Sequence, residues 1–234
     1  MDYQAIGALD SAKQGWGQGL NKDQWNRPTG SVDTQEQYGK YDALFIMPQE
    51  QKLYLTFDEG YENGYTPTIL DTLKAKNQKA TFFVTYSYVR DNPALVQRMI
   101  DEGHVIGNHS WTHPSLPTLS LEQARAEIVK LHQYMRDSYG IEMTVFRPPM
   151  GEFSEQTLAL TQALHYKSAF WSFAYYDYEP DDQMEPSAAL TKLTDNIHPG
   201  ALYLLHAISS TNTSILGDFI DNVRAQGYQI LPLQ

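Results

Sequence analysis

From Lys52 onward, short runs of apolar, β-favouring residues alternate with stretches whose apolar positions recur every three or four residues. The runs are Leu53 to Phe57, Ala80 to Thr85, His104 to Gly107, Thr144 to Arg147, Ser168 to Phe173, Ala201 to His206 and Tyr228 to Leu231. Seven such runs, rich in Val, Ile, Phe, Tyr and Leu and separated by helical periodicity, predict βα units around a parallel sheet. Start and stop signals delimit the helices. Thr66 is the expected N-cap ahead of Pro67, and Asn92 and Pro93 precede Leu95, Val96, Met99 and Ile100 before a stop at Gly103. The longest helix opens on a Ser120/Gln123 capping box, carries Leu121, Ala124, Ile128, Leu131 and Met135 on one face, and ends at Gly140. Shorter helices are expected after Ser154, Ser187 and Ser214. Their apolar faces read as core packed on the sheet.

Residues 1–50 lack this order. Gly15, Gly17 and Gly19 surround Trp16, and a polar stretch follows through Asn26, Arg27, Pro28 and Gly30, which predicts an irregular arm pinned to the body by Trp16 and Trp25. The glycines neither follow a strand nor open a helix, so a nucleotide loop is not indicated. Residues 51–234 form the expected catalytic domain. An α/β barrel, closed or distorted, and an open doubly wound sheet both suit seven units; the missing glycine fingerprint after the first strand favours the barrel.

Composition narrows the function. The chain has 234 residues, 17 Lys plus Arg against 28 Asp plus Glu for a net charge of −11, and no cysteine. Disulfides and thiolate metal sites are excluded, and the acidic balance without basic clusters argues against nucleic-acid or anionic-membrane partners. There is no apolar run long enough to span a membrane, and Met1, Asp2 and Tyr3 lack the features of a secretory signal, so composition leaves the location open.

Active sites of parallel α/β folds gather at the C-terminal ends of the strands. The first strand ends in Asp58 and Glu59, the third runs into Asn108, His109 and His113, the fourth into Arg147, the fifth reaches Asp177, and the sixth ends in His206. Each residue alone has an ordinary structural explanation, such as a capped turn or a surface ion pair. Packing gives no reason for five of seven strand ends to be ionisable, and their joint placement at one rim points to a reaction site.

The four-residue spacing of His109 and His113 would bring two imidazoles together on one helical turn, suited to a divalent metal. Asp58 or Glu59 can complete a His, His, carboxylate set with an open position for water, as in catalytic zinc. The other carboxylate, held by the Arg147 guanidinium, would take the proton from attacking water. His206, oriented and kept protonated by Asp177, would protonate the leaving group.

These residues fall within five motifs: Thr56-Phe57-Asp58-Glu59-Gly60, His109-Ser110-Trp111-Thr112-His113, Arg147-Pro148-Pro149-Met150-Gly151, Trp171 through Asp177-Tyr178, and Leu204-Leu205-His206. In this order they resemble the polysaccharide deacetylase family, carbohydrate esterase family 4, also called the NodB homology domain. The stretches Tyr54 to Asp58, Gly60 to Pro67, Phe170 to Ser172 and Pro199 to His206, with the arm around Trp16, resemble the delta-lactam-biosynthetic de-N-acetylases that act on muramic acid. The resemblance implies a distorted (β/α)7-type barrel. It implies Asp58 as general base, His109 and His113 as ligands of a divalent ion (zinc, with cobalt or another divalent ion as a substitute), Arg147 as tether of the base, and His206 as acid supported by Asp177. It also implies that the backbone N–H near Met150 helps bind the oxyanion, that Leu205 lines the acetyl pocket, and that Trp171 and Tyr178 shape the substrate pocket.

Three positions depart from the family pattern: Glu59 stands where a second Asp is usual, Tyr178 replaces a Trp, and Ala174 replaces an acidic residue. The implied reaction is removal of the N-acetyl group of N-acetylmuramic acid in peptidoglycan, with the freed amine available for lactam closure and a wall-facing location following from the substrate. Rival readings are a deacetylase of N-acetylglucosamine in peptidoglycan, chitin oligomers or exopolysaccharide, and an inactive carbohydrate-binding protein on the same scaffold. A metal-free glycosidase using Asp58 and a second carboxylate would leave His109 and His113 without a role. Tyr86, Tyr88, Tyr175 and Tyr176 lie near predicted strand ends, where they could stack on sugar faces.

Overall fold

A computed structural model describes residues 2–234. The strands are β1 (Gln14–Gly15), β2 (Ala43–Leu44), β3 (Lys52–Glu59), β4 (Thr81–Val84), β5 (Val105–Asn108), β6 (Val145–Phe146), β7 (Glu152–Phe153), β8 (Lys167–Ala169), β9 (Ala201–His206) and β10 (Gln229–Leu231). The helices are α1 (Tyr3–Gly7), α2 (Thr29–Tyr38), α3 (Thr66–Ala75), α4 (Tyr86–Asp91), α5 (Pro93–Asp101), α6 (Leu121–Tyr139), α7 (Glu155–Ala163), α8 (Pro186–Asp195) and α9 (Ser210–Ala225).

All seven expected strands form, with ends shifted by a few residues, and their mutual pairings are parallel. The order runs β10, β3, β4, β5, β6, β8, β2, with β9 also paired to β3. Beyond β8, Phe173 bridges in parallel to Tyr203 of β9, which brings the curled sheet back toward its first strands. The result is a mostly parallel sheet curled into a distorted barrel of the expected kind, with helices outside. β3 is the axis of the site. It pairs along most of its length with β9, setting Asp58 opposite His206, and near its C-terminal end with β4. Leu53, Leu55 and Phe57 are fully buried, as expected of a strand covered on both faces.

The capping boxes of α6 and α7 form at Ser120/Gln123 and Ser154/Thr157, and α6 ends on Gly140 at φ +69°. Three helix starts differ from expectation. Tyr65 rather than Thr66 precedes α3; the Thr66 hydroxyl turns to the Glu59 carboxylate instead of to the backbone. Glu185 caps α8 by accepting from Ala188 N–H, and Ser187 bonds that same carboxylate. Ser209 caps α9, while Ser214 lies inside the helix with its hydroxyl donating to the Thr211 carbonyl.

Residues 2–50 are more ordered than expected. They include the ten-residue α2, and β2 adds to the barrel sheet beside β8. α2 has little apolar periodicity; it is held instead by Gln35, whose side chain donates to Ala43 O and accepts from Phe45 N–H. Trp16 does fasten this region to the body, through Phe45 and the Trp171 carbonyl. Trp25 does not; it is half-exposed beside Arg27, and Asn26 makes the connection by donating to the carbonyls of Asp195 and Ile197.

Candidate active site

A cavity of about 470 Å³ opens at the C-terminal rim of the strands, lined by Asp58, His109, His113, Met150, Gly151, Trp171, Ala174, Tyr178, Leu204 and His206 among others. A smaller one of about 190 Å³ shares Asp58, both histidines, Tyr178 and His206 with it and extends toward Tyr61 and Ile208. The chain thus brings together most of the ionisable strand ends singled out by the sequence.

Arg147 forms the floor. It is fully buried with four donor contacts: Nη1 to Asp58 Oδ1 at 2.6 Å, Nη2 to Thr56 Oγ1 at 2.9 Å and Phe170 O at 3.0 Å, and Nε to Ala169 O at 3.1 Å. Its guanidinium also lies over the Phe83 ring at 4.1 Å. Burial works against the Asp58 charge, but Arg147, His109 and His206 outweigh it and hold the carboxyl below its usual range, so Asp58 is ionised and oriented.

His109 and His113 do meet, but through a loop rather than a helical turn. Ser110 and His113 adopt φ +71° and +60°, and the loop is held by Ser110 N–H to Asn108 Oδ1, His113 N–H to Ser110 Oγ and Trp111 N–H to Glu127 O. His109 Nε2 stands 3.1 Å from His113 Nε2 and 3.5 Å from Asp58 Oδ2, while its Nδ1 bonds the Arg147 carbonyl at 2.9 Å. Burial pushes the His109 imidazole down to about 4 and lowers His113 as well, leaving neutral rings. Among the described residues no group of three or more His, Asp or Glu side chains forms a ready-made cation cage. The trio nonetheless fits a tetrahedral divalent ion: ligand atoms at zinc bond lengths stand about 3.3 Å apart, close to both separations, and a carbonyl-bonded Nδ1 is the usual support of a ligating imidazole. The deacetylase family that the five motifs resemble is generally dependent on a divalent metal.

Opposite Asp58, His206 Nδ1 bonds Asp177 Oδ1 at 2.7 Å, and Asp177 Oδ2 accepts from His206 N–H at 2.9 Å and Asn212 Nδ2 at 2.6 Å. Burial alone would lower the His206 value; the hydrogen bond and charge of Asp177 reverse this and raise it. With Nδ1 engaged, Nε2 is the free ring atom.

Arg147 and Asp177 stand behind the cavity-lining Asp58 and His206, whereas Glu59 and Leu205 do not face the cavity. Successive strand side chains point to opposite faces, so with Asp58 inward Glu59 points outward. It is fully buried against Thr66, and burial with Glu62 and Asp58 nearby pushes its carboxyl well above the usual range. Glu59 therefore stands apart from the two histidines. By the same alternation Leu204 lines the cavity, and Leu205 packs in the core instead. Of the tyrosines, Tyr175 and Tyr178 line the cavity, Tyr176 packs on Tyr178 at the surface, and Tyr86 is stacked on Trp111. Sequence reading missed Thr56, Asn212 and Gln18. Thr56 lies two residues before Asp58 on the same strand face, a signal that period two could have supplied; Asn212 and Gln18 sit in other elements and carry no such signal.

A family profile described as polysaccharide deacetylase matches residues 47–169. The peptidoglycan-N-acetylmuramic acid deacetylase PdaA of Bacillus subtilis is 44% identical over 191 residues, covering 81% of this chain and 73% of that protein. The solved structure of that family 4 carbohydrate esterase superposes with a TM-score of 0.90 at 38% identity over 96% of each chain. A family 4 carbohydrate esterase from Bacillus anthracis gives 0.79 at 37% identity, again over 96% of each chain.

Proposed function

The chain belongs to the polysaccharide deacetylase family, hydrolases of N-acetyl amide bonds, and from that membership we propose that it removes the N-acetyl group from N-acetylmuramic acid in peptidoglycan. The observation that carries the reading is the opposition, across one cavity, of an ionised Asp58 tethered by Arg147 and a His206 kept protonatable by Asp177. The muramic substrate follows the similarity to a relative named for that activity.

Asp58 accepts the proton of the attacking water, its second oxygen held by Arg147 so that its orientation does not drift. His206 delivers a proton from Nε2 to the departing amine nitrogen, and Asp177 stabilises the imidazolium. The backbone N–H at Met150, a cavity-lining residue with a left-handed φ of +59°, is offered to the oxyanion. A divalent ion, zinc or cobalt, held by His109 and His113 would polarise the amide oxygen and lower the pKa of water to about 7. Trp171 and Tyr178 supply apolar walls for the sugar and acetyl group. The freed amine could then condense with the lactyl carboxyl, its C–N bond replacing a carboxyl C–O bond with loss of water, to give a lactam, and the enzyme would face the cell wall.

The test is acetate release from peptidoglycan, intact and stripped of stem peptides, before and after chelation and after zinc or cobalt is restored, with mass spectrometry of the sugars. Metal-dependent acetate together with muramic amine or lactam is the expected result. Acetate from glucosamine residues only would transfer the activity to the other sugar, and glycan binding without acetate under any ion would leave a binding protein.

A further inference from the structure

The N-terminal ribbon reaches the substrate cavity. Along Gln14–Gly19 the side chains alternate: Gln14, Trp16 and Gln18 turn toward the body and are half-buried, while Gly15, Gly17 and Gly19 are exposed. Four hydrogen bonds link this ribbon to residues of the cavity wall. Trp16 N–H donates to Gly151 O at 3.0 Å, Trp16 Nε1 to Trp171 O at 2.9 Å, Trp171 Nε1 to Gln18 Oε1 at 3.0 Å, and Gln18 Nε2 to Ala174 O at 2.9 Å. Gly151, Trp171 and Ala174 all line the cavity.

We propose that Trp16 and Gln18 are positioning residues for substrate, forming a clamp that sets the Trp171 indole and the 171–174 segment against the Gly151 turn and so fixes the width of the glycan cavity. The proposal rests on the deacetylase reading of that cavity and adds determinants outside the five motifs. The wall needs such a clamp. Residues 170–177 leave the sheet after β8: Phe170 N–H still bonds Leu44 O of β2, and Ser172 and Phe173 pair with β9, but the hydrogen bonds of the Trp171 indole N–H and the Ala174 carbonyl both go to Gln18. The indole lies so close over Gly151 that a Cβ there would stand 2.6 Å from the ring, so a small rotation of the indole opens or closes the cavity against that turn. Gln18 suits the bridge because one amide both accepts from an indole N–H and donates to a carbonyl, which no carboxylate or ammonium can do. Trp16 adds a second hold, its ring edge-on to Phe45, which stacks on Phe170 next to Trp171.

The experiment compares Gln18→Ala, Trp171→Phe and the double variant with the parent, reading kcat and KM for acetate release and the dissociation constant for a peptide-free acetylated glycan oligosaccharide by calorimetry. Gln18→Ala should raise KM and the dissociation constant about tenfold, the scale of losing hydrogen bonds to a partly buried wall, with kcat within about twofold. Trp171→Phe removes the indole N–H that Gln18 accepts, so the double variant should be no worse than about the worse single. Gln18→Glu, which keeps the acceptor and loses the donor, should fall between parent and Gln18→Ala. A loss of folded protein alone would lower apparent kcat with KM unchanged; that pattern, unchanged affinity, or additive losses in the double variant would overturn the clamp. A parent that binds glycan but releases no acetate would refute the deacetylase reading and leave the clamp to be judged by the dissociation constants. A parent that binds no acetylated glycan would overturn both.

Discussion

Arg147, just past β6, and Asp58 of β3 form a buried ion pair at 2.6 Å, with three further guanidinium donors directed to Thr56 and to the carbonyls of Ala169 and Phe170. A charge so placed orients its partner and also depends on it. Removing Asp58 leaves the fully buried Arg147 guanidinium without its counter-charge.

Asp58→Asn should therefore act twice. Acetate release should fall by roughly 100-fold or more, as for loss of a general base. The free energy of unfolding should fall by about 3 kcal/mol, because Arg147 loses its counter-charge. Initial rates and urea denaturation measure the two effects separately, and wild-type turnover in the variant would remove Asp58 from the reaction.

Asp177→Asn keeps a hydrogen-bonding side chain beside His206 but removes the negative charge. In the parent that charge overcomes burial and raises the His206 value; without it burial prevails and the value drops. A general acid works only while protonated, so the alkaline limb of the kcat profile should move to lower pH, costing roughly tenfold or more in kcat at pH 8. A variant whose alkaline limb coincides with the parent's would show that another group supplies the proton.

Glu59→Gln should stabilise the protein at neutral pH. The folded-state value of Glu59 is raised well above its ordinary 4.5, so the folded protein keeps a proton that the unfolded chain has released. The stability contributed by the protonated group is complete below about 4.5 and is lost as pH rises through the raised folded value. Glutamine does not titrate, so the melting-temperature gap between variant and parent should be small at pH 4 and widen by pH 8. Zinc affinity should change little, since the side chain points away from His109 and His113. A pH-independent gap would mean Glu59 is ionised in the fold, and a large loss of zinc affinity would make it a ligand.

Much of this was legible in the chain. The seven strands, the capping box at Ser120, the helix after Ser154 and the ionisable groups at the strand ends followed from period, caps and motif order, because each depends on neighbours within a few residues. The loop at His109–His113 was harder. Its spacing suits a helix, and only the contacts of Asn108 and Glu127 show why the backbone takes left-handed φ values there.

The sequence by itself determined the barrel of βα units, the order of the five motifs and the gathering of Asp58, His109, His113 and His206 at strand ends, since local periodicity and residue chemistry carry that information. Only the tertiary structure decided that Glu59 and Leu205 face away from the cavity while Asp58 and Leu204 face into it, that Asn212 backs Asp177, that β2 joins the sheet beside β8, and that Trp16 bonds the cavity-lining Trp171. Those outcomes depend on which face of each strand the barrel encloses and on contacts between residues as far apart as Gln18 and Ala174, and no local pattern encodes either.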